Sequence, residues 1–456
     1  MRKLFIIGFS VFLLVSCFDS ENENVVSQED KEESEVNVED AKSALSDVIY
    51  NMAQNNNQLK GPNDIPKQTD VSAAHGLFDA ALKNNPHNKN AHLGIALTNI
   101  MMITQTDKMD TLFNKWQNIL DNQEQTIAKK TSLTMNKSLS FSPNSSCLKE
   151  DQIIKTYLGV SKTAYQEPIK LSEIQNLIEV ELIPRLEESI THLEKIVDDS
   201  SYTFMVPPKM QGNLEEDTLE LDLTEVHALK AGLHSLHALS QITIAYNINA
   251  PTNPNAEKIK SLLSQDSDFL TLRKGTDPMK TARSSILKGT EALSQGIDNM
   301  IKETDNQDDD IITKNDFTPE EIDSIEIGIE EVETHLQEEE NYLIDLDNDG
   351  NNETMTINAK QIFEDPVQDL KKKLPAYTIE IIDTTVQVYN DDYEEETVTQ
   401  KMLIMKWKAD SYQNWTFPDP TINKALPNMT NNKLKKLLEI NEESWSKEVP
   451  LTILRQ

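Results

Sequence analysis

The sequence is poor in glycine, cysteine and aromatic residues, and it lacks a long run of apolar residues. It contains 12 Gly, 2 Cys and 6% aromatic residues among 456 positions. So little glycine disfavours a turn-rich all-β fold and a glycine loop that cradles phosphate. Because no run of about 20 apolar residues follows the N-terminus, we expect no membrane-spanning helix.

Basic residues are scarce beside acidic ones. The chain has 43 Lys and Arg against 77 Asp and Glu, which gives a formal net charge of −34. Nucleic-acid binding depends on clustered Lys and Arg that neutralise phosphates, so we expect no nucleic-acid partner. Hydrophobic residues make up only 37% of the chain. We therefore expect part of the chain to be solvated linker or loop.

The N-terminus has the order of a secretory signal. Two basic residues precede an apolar stretch from Leu4 to Val15, which is too short to span a bilayer, and small Ser16 stands before Cys17. The stretch Leu14-Val15-Ser16-Cys17 resembles the lipobox of bacterial lipoproteins. The resemblance implies cleavage after residue 16 and acylation of Cys17, with two or three chains forming a lasting membrane anchor.

A lipobox also implies a location in the bacterial cell envelope. In that family Asp after the cysteine favours retention in the inner membrane, whereas this chain has Phe18. We therefore favour the outer membrane or the cell surface over the inner membrane. The other cysteine, Cys147, lies in a Ser- and Asn-rich stretch, and acylation of Cys17 would leave it without an intrachain disulfide partner.

A helical hairpin is indicated by small residues, a phenylalanine and a proline at fixed spacing. Ala74, Phe78, Ala81 and Pro86 are followed by Ala91, Ile95 and Ala96. This pattern resembles the tetratricopeptide repeat, in which small residues let two helices approach and Pro ends the first. No clean second copy follows. The predicted fold class is mainly α: an irregular tetratricopeptide-like helical body with a small C-terminal antiparallel β element.

Apolar spacing places further elements along the chain. A helix capped by Asp222 or Thr224 would carry an apolar stripe from Val226 to Leu236 and be packed on two sides. Near the C-terminus, alternation over 377–388 and a β-rich run over 398–407 predict a hairpin across an acidic turn. We expect Trp407, Trp415 and Phe417 to pack in the core beside this hairpin.

Charge and pattern together divide the chain into five parts. These are a signal peptide (1–16), a lipidated acidic tether (17–38), a helical repeat-like body (39–302), an acidic linker (303–319) and an α+β C-terminal region (320–456). The tether and the linker are acidic, like-charge runs, for which a solvated state is the simplest expectation.

The most specific motif is an acidic loop in the C-terminal region. Its candidate metal ligands are Asp345, Asp347, Asp349, Asn351 and Glu353, with Gly350 at the sharp turn. Calcium takes six to eight oxygen ligands, and alternate acidic side chains on a tight loop supply them. The loop resembles those of EF-hands and dockerins, but Thr356 stands where an EF-hand has its bidentate Glu. We therefore predict a single structural calcium site, although a polar turn without metal is the alternative.

Three histidines form a rival site. His227, His234 and His237 lie within about 80° of one another on a helical wheel, so a pair of them could share a transition metal. The spacing is not the metalloprotease pattern of two His flanking Glu. Neighbouring alanines favour an ordinary packed face with the histidines at its edge.

Three functional hypotheses follow. The first is a lipid-anchored, non-enzymatic helical scaffold that presents a surface to a protein partner. The second is a glycan- or solute-binding lipoprotein of an outer-membrane uptake system, which would need exposed aromatic platforms. The third is a metal hydrolase that uses the histidine face, which would need a third ligand near His234 and His237.

Overall fold

The computed structural model describes residues 26–55, 64–117, 169–251, 256–304, 309–345, 352–389, 395–438 and 444–454. The fold is mainly α with small antiparallel sheets, which confirms the predicted fold class. The signal peptide, both cysteines and loop residues 346–351 lie outside the described residues. No helix in the described ranges is long and apolar enough to cross a membrane.

Helices provide most of the described structure. They are α1 (Gln28–Asn55), α2 (Ile65–Gln68), α3 (Ser72–Asn84), α4 (Lys89–Met101), α5 (107–117), α6 (Leu171–Leu177), α7 (Ile183–Leu193), α8 (Leu223–Ala245), α9 (Ala256–Ser264), α10 (Asp277–Lys302), α11 (Pro319–Gln337), α12 (Ala359–Glu364) and α13 (Asn431–Leu437). A π-helical turn at Ile178–Leu182 joins α6 to α7. Pro184 follows this turn, and its missing N–H removes one ordinary helical hydrogen bond there.

Seven strands form three small antiparallel sheets among the described residues. They are β1 (Phe204–Val206), β2 (Leu219–Leu221), β3 (Glu340–Ile344), β4 (Glu353–Ile357), β5 (Tyr377–Tyr389), β6 (Glu395–Trp407) and β7 (Glu448–Leu454). Strands β1 and β2 pair with each other, as do β3 and β4, and the third sheet has the order β5-β6-β7. The β5–β6 hairpin was predicted, whereas β7 was not.

The prediction of a solvated tether is wrong for residues 28–38, because α1 begins at Gln28. Its buried residues recur at helical spacing and pack against α3: Ser34, Val38, Ala41 and Leu45. Ser34 Oγ also donates a hydrogen bond to the carbonyl of Ala81 over 2.9 Å. The acidic residues occupy the outer face of this helix, so charge alone concealed a stripe at spacings of four, three and four.

The predicted hairpin is present as α3 and α4, joined by residues 85–88. Phe78 is fully buried between the two helices, where it lies directly against the backbone of Gly94. Helix α1 covers α3 on one side and α7 covers α4 on the other. The hydrophobic core of the N-terminal half therefore forms where these four helices meet.

The central helix α8 begins as predicted. Asp222 is its N-cap and accepts a hydrogen bond from the N–H of Thr224, while the Glu225 side chain accepts one from the N–H of Asp222. This reciprocal capping box fixes the first turn. Helix α8 packs on α7 and, most extensively, on α10, so its two-sided burial is confirmed.

The acidic linker is part of the folded body in its described residues. The N–H of Glu220 donates to the carbonyl of Asp309 over 2.6 Å, and the N–H of Ile312 donates to Glu225 Oε1 over 2.8 Å. Helix α11 then packs back on α10. The predicted solvated linker is therefore wrong for residues 309–319, because the capping carboxylate of Glu225 also holds this segment.

The C-terminal region is built from short elements. Pro366 separates α12 from a 3₁₀ turn at Leu370–Lys373. Trp407, Trp415 and Phe417 form a chain of edge-on contacts, with ring centroids 5.3 Å and 5.0 Å apart. Trp415 is buried, which confirms the predicted core role of this cluster.

Replacing Gly94 by Ala tests the α3–α4 contact. A Cβ at this position would overlap the buried ring of Phe78, so we expect Gly94→Ala to lower the free energy of unfolding by about 1–3 kcal/mol. Gly76→Ala is the matched control on α3, because nothing lies within 4 Å of its Cβ. Alanine should stabilise that helix by up to about 1 kcal/mol. Urea denaturation measures both, and equal effects of the two changes would contradict this packing.

Candidate functional site

The predicted calcium loop connects the two strands of a β-hairpin. Strands β3 and β4 pair antiparallel, and Ile344 lies opposite Glu353 in the register. The register brings Asp345 and Glu353, the first and ninth loop positions, to the two ends of the connection. Asp347, Asp349 and Asn351 lie outside the described residues. The calcium site therefore stays a prediction, with its two outer positions on one hairpin.

The base of this hairpin is fixed by its neighbours. Glu353 forms an ion pair with Lys436 of α13 at 2.9 Å, and Lys433 of the same helix donates to the carbonyl of Thr354. On the other strand, the Tyr342 hydroxyl bonds to Glu340 and His335. The hydrogen bond to the Glu340 carboxylate raises the pKa of Tyr342 to about 12. Because Glu353 pairs with Lys436, it could bind a calcium ion only in competition with that lysine.

The three histidines of the rival site lie on α8 and are buried against α10. A Cβ at Gly289 would lie 3.3 Å from the His234 Cβ, and one at Gly296 would lie 3.2 Å from the His227 Cβ. The two glycines are seven residues apart on α10, as are the two histidines on α8, and the helices are antiparallel. The same glycine–histidine contact therefore occurs twice along the interface. The glycines let the helices approach, and the histidines fill the contact.

Protein groups occupy both nitrogens of His237, which leaves neither of them free for a metal ion. His237 Nδ1 lies 2.7 Å from Ser285 Oγ, and its Nε2 lies 3.2 Å from Gln241 and 3.3 Å from Glu187. Both nitrogens of His234 are buried without a protein hydrogen-bond partner. Within the described ranges, no group of three His, Cys, Asp or Glu residues could hold a metal ion. The third ligand that the metal-hydrolase hypothesis needs is therefore not found there.

Burial keeps these histidines neutral. It lowers the pKa of His227 and His237, and it lowers the pKa of His234 to about 4. A second histidine pair, which the sequence reasoning missed, joins α4 to α7: the Nδ1 of His92 lies 2.7 Å from the Nδ1 of half-buried His192, and burial lowers the pKa of both. The lowered pKa values mean that the folded state favours neutral histidine. The resulting contribution to the free energy of unfolding is therefore fully present above pH 6.5 and is lost as the pH falls.

An apolar groove opens where α8, α10 and α11 meet, and we call it the α10–α11 groove. It encloses a cavity of about 110 Å³. Its apolar wall includes Leu293, Ile297, Met300, Phe317, Ile322 and Ile325. The cavity shares Phe317 and Ile322 with a wider outer depression of about 640 Å³.

The groove depends on residues that were predicted to be solvated. Ile312 and Phe317 belong to the segment assigned to the acidic linker, yet they form part of the wall. On the floor, Thr224 Oγ1 is buried and has no hydrogen-bond partner. The sequence indicates this groove only through the apolar residues within the acidic run over 311–325.

Calcium binding can be tested on the protein that begins at Cys17. We expect Asp347→Ala to remove a saturable one-site heat in calorimetry and the calcium-dependent rise in melting temperature. Asn348→Ala is the matched control, because the fourth loop position supplies no side-chain ligand in loops of this type. Flat heats for the unaltered protein, or equal loss in both variants, would contradict a calcium site at this loop.

The sequence and the structure were also compared with known proteins. No protein-family model matches the chain, and neither curated proteins nor solved structures gave a match.

Proposed function

We propose that this protein is a lipid-anchored component of a bacterial envelope that acts as a non-enzymatic helical scaffold for protein–protein interaction. The observation that carries the proposal is the α10–α11 groove. Apolar surface left open to water is a marker of interaction sites. Ile301 and Ile311 are 45% and 48% exposed, and Ile301 lines the outer depression.

The anchor is supported by the resemblance to a lipobox. Acyl chains on Cys17 would hold the protein at the membrane. Ten residues separate Cys17 from the start of α1 at Gln28. Such a segment spans at most about 36 Å when fully extended, so the anchor would keep the helical body close to the membrane surface. The calcium site belongs to the same proposal as a structural element of the C-terminal region.

The glycan-binding alternative has less support. Sugar recognition would need aromatic side chains exposed as a platform, whereas Trp407, Trp415 and Phe417 contact one another. The three rings pack edge-on, and Trp415 is buried. Within the described residues, this aromatic cluster therefore packs in the core and does not form a platform for a sugar.

The scaffold proposal predicts site-specific capture of a partner in cells. With a photoreactive amino acid in place of Ile322, illumination should link the protein to a discrete envelope protein. The same amino acid in place of Leu343, which is 71% exposed on β3, is the matched control and should not capture it. A second change, Ala228→Leu, narrows the cavity and should abolish capture from position 322.

Fractionation of the same cells tests the anchor. Cys17→Ser should move the protein from the membrane pellet to the soluble envelope fraction and remove labelling by a palmitate analogue. A membrane-bound, unlabelled Cys17→Ser protein would contradict only the lipid anchor.

The capture experiment tests the groove. Equal capture from positions 322 and 343, or capture unaffected by Ala228→Leu, would contradict a role for the groove.

A further inference from the structure

We infer that the occupant of the α10–α11 groove is a positively charged peptide segment that inserts one aliphatic side chain. The inference rests on the proposed function and names the chemistry of the partner. It follows from the size of the cavity, the lining of its wall and the charges along its rim.

The cavity is too small for a drug-sized ligand and suits a single side chain. Pockets for such ligands measure about 300–1,000 Å³, whereas this cavity measures about 110 Å³. Its wall is formed by branched aliphatic residues, methionine and phenylalanine. An inserted leucine, isoleucine or methionine would lose its contact with water there, which is the main source of affinity for an anchor residue.

The outer depression has room for the residues on either side of the anchor. It shares Phe317 and Ile322 with the cavity, and it runs past Pro319 and Asp323 at the start of α11. The depression is open, so a bound backbone could enter and leave along it. This shape fits a peptide that lies across the groove with one side chain pointing inward.

The surface beside the groove is acidic, because Asp323 lines the outer depression and further carboxylates follow it along α11. Asp323, Glu326 and Glu330 recur at spacings of three and four and therefore form one acidic stripe along α11. Among the residues that the structure describes, none of the three takes part in an ion pair. Lys314 is the opposing charge in the outer depression. With a net charge of −34 for the whole chain, the surface would attract a basic segment and repel an acidic one.

Four fluorescein-labelled peptides of eleven residues test the inference by fluorescence anisotropy. The first has one central Leu flanked by Lys and Gly. The others replace Leu by Gly, all Lys by Ser, or all Lys by Glu. We expect the first to bind most tightly and the other three at least tenfold more weakly, with an affinity that falls as salt is raised.

Variants of the full chain assign each contribution. Ala228→Leu should make the Leu and Gly peptides bind alike, because it fills the cavity. Asp323→Asn with Glu326→Gln should weaken the basic peptide several-fold and flatten its salt dependence. Glu29→Gln with Glu33→Gln, on the exposed face of α1, which packs on α3, is the matched control and should change neither.

The outcomes separate the two proposals. Equal binding of the Ser and Lys peptides, lost in Ala228→Leu, would overturn the charge inference and leave the groove as an interaction site. If binding does not depend on the central Leu, the inserted aliphatic side chain is excluded, and so is the groove as the binding site. Dimerisation in sedimentation, or binding to anionic vesicles, that Ala228→Leu abolishes would overturn the peptide class in favour of a second copy or a lipid surface.

Discussion

The close approach of α8 and α10 positions the elements that pack around them. Gly289 and Gly296 let the two backbones come together, and His234 and His227 fill the contact from the opposite helix. This pair presents one side to α7 and the other to α11. The α10–α11 groove exists because α11 packs on one partner of this pair while leaving apolar side chains of both uncovered.

Elements that depend on residues close in sequence were predicted, whereas elements that depend on distant contacts were not. The Asp222 cap, the hairpin around Phe78 and the β5–β6 alternation each depend on residues close in sequence. Residues 28–38 of α1 and the segment 309–319 were missed because their acidic composition resembles solvated chain. What fixes them is distant in sequence: Ser34 bonds to Ala81, and Ile312 bonds to Glu225.

The candidate sites were predictable to different degrees. The calcium loop is a prediction from candidate ligands that lie close together in the sequence. The structure adds that Asp345 and Glu353 lie at the two ends of a hairpin connection and that Glu353 pairs with Lys436. The histidine face was readable as a pattern, but its role was not, because the facing residues Gly289 and Gly296 lie about 60 residues away. The groove combines three helices and a connecting segment, so no local pattern could define it.

The α8–α10 contact buries histidines in the neutral state. The most direct test is an NMR titration of the protein labelled with ¹³C at histidine Cε1, with His234 assigned through a His234→Asn variant. Burial sets the pKa of His234 at about 4, so its resonance should keep the neutral shift from pH 8 down to pH 5. The urea-unfolded chain, where histidine titrates near pH 6.5, is the reference. A His234 midpoint near that reference in the folded protein would contradict the account.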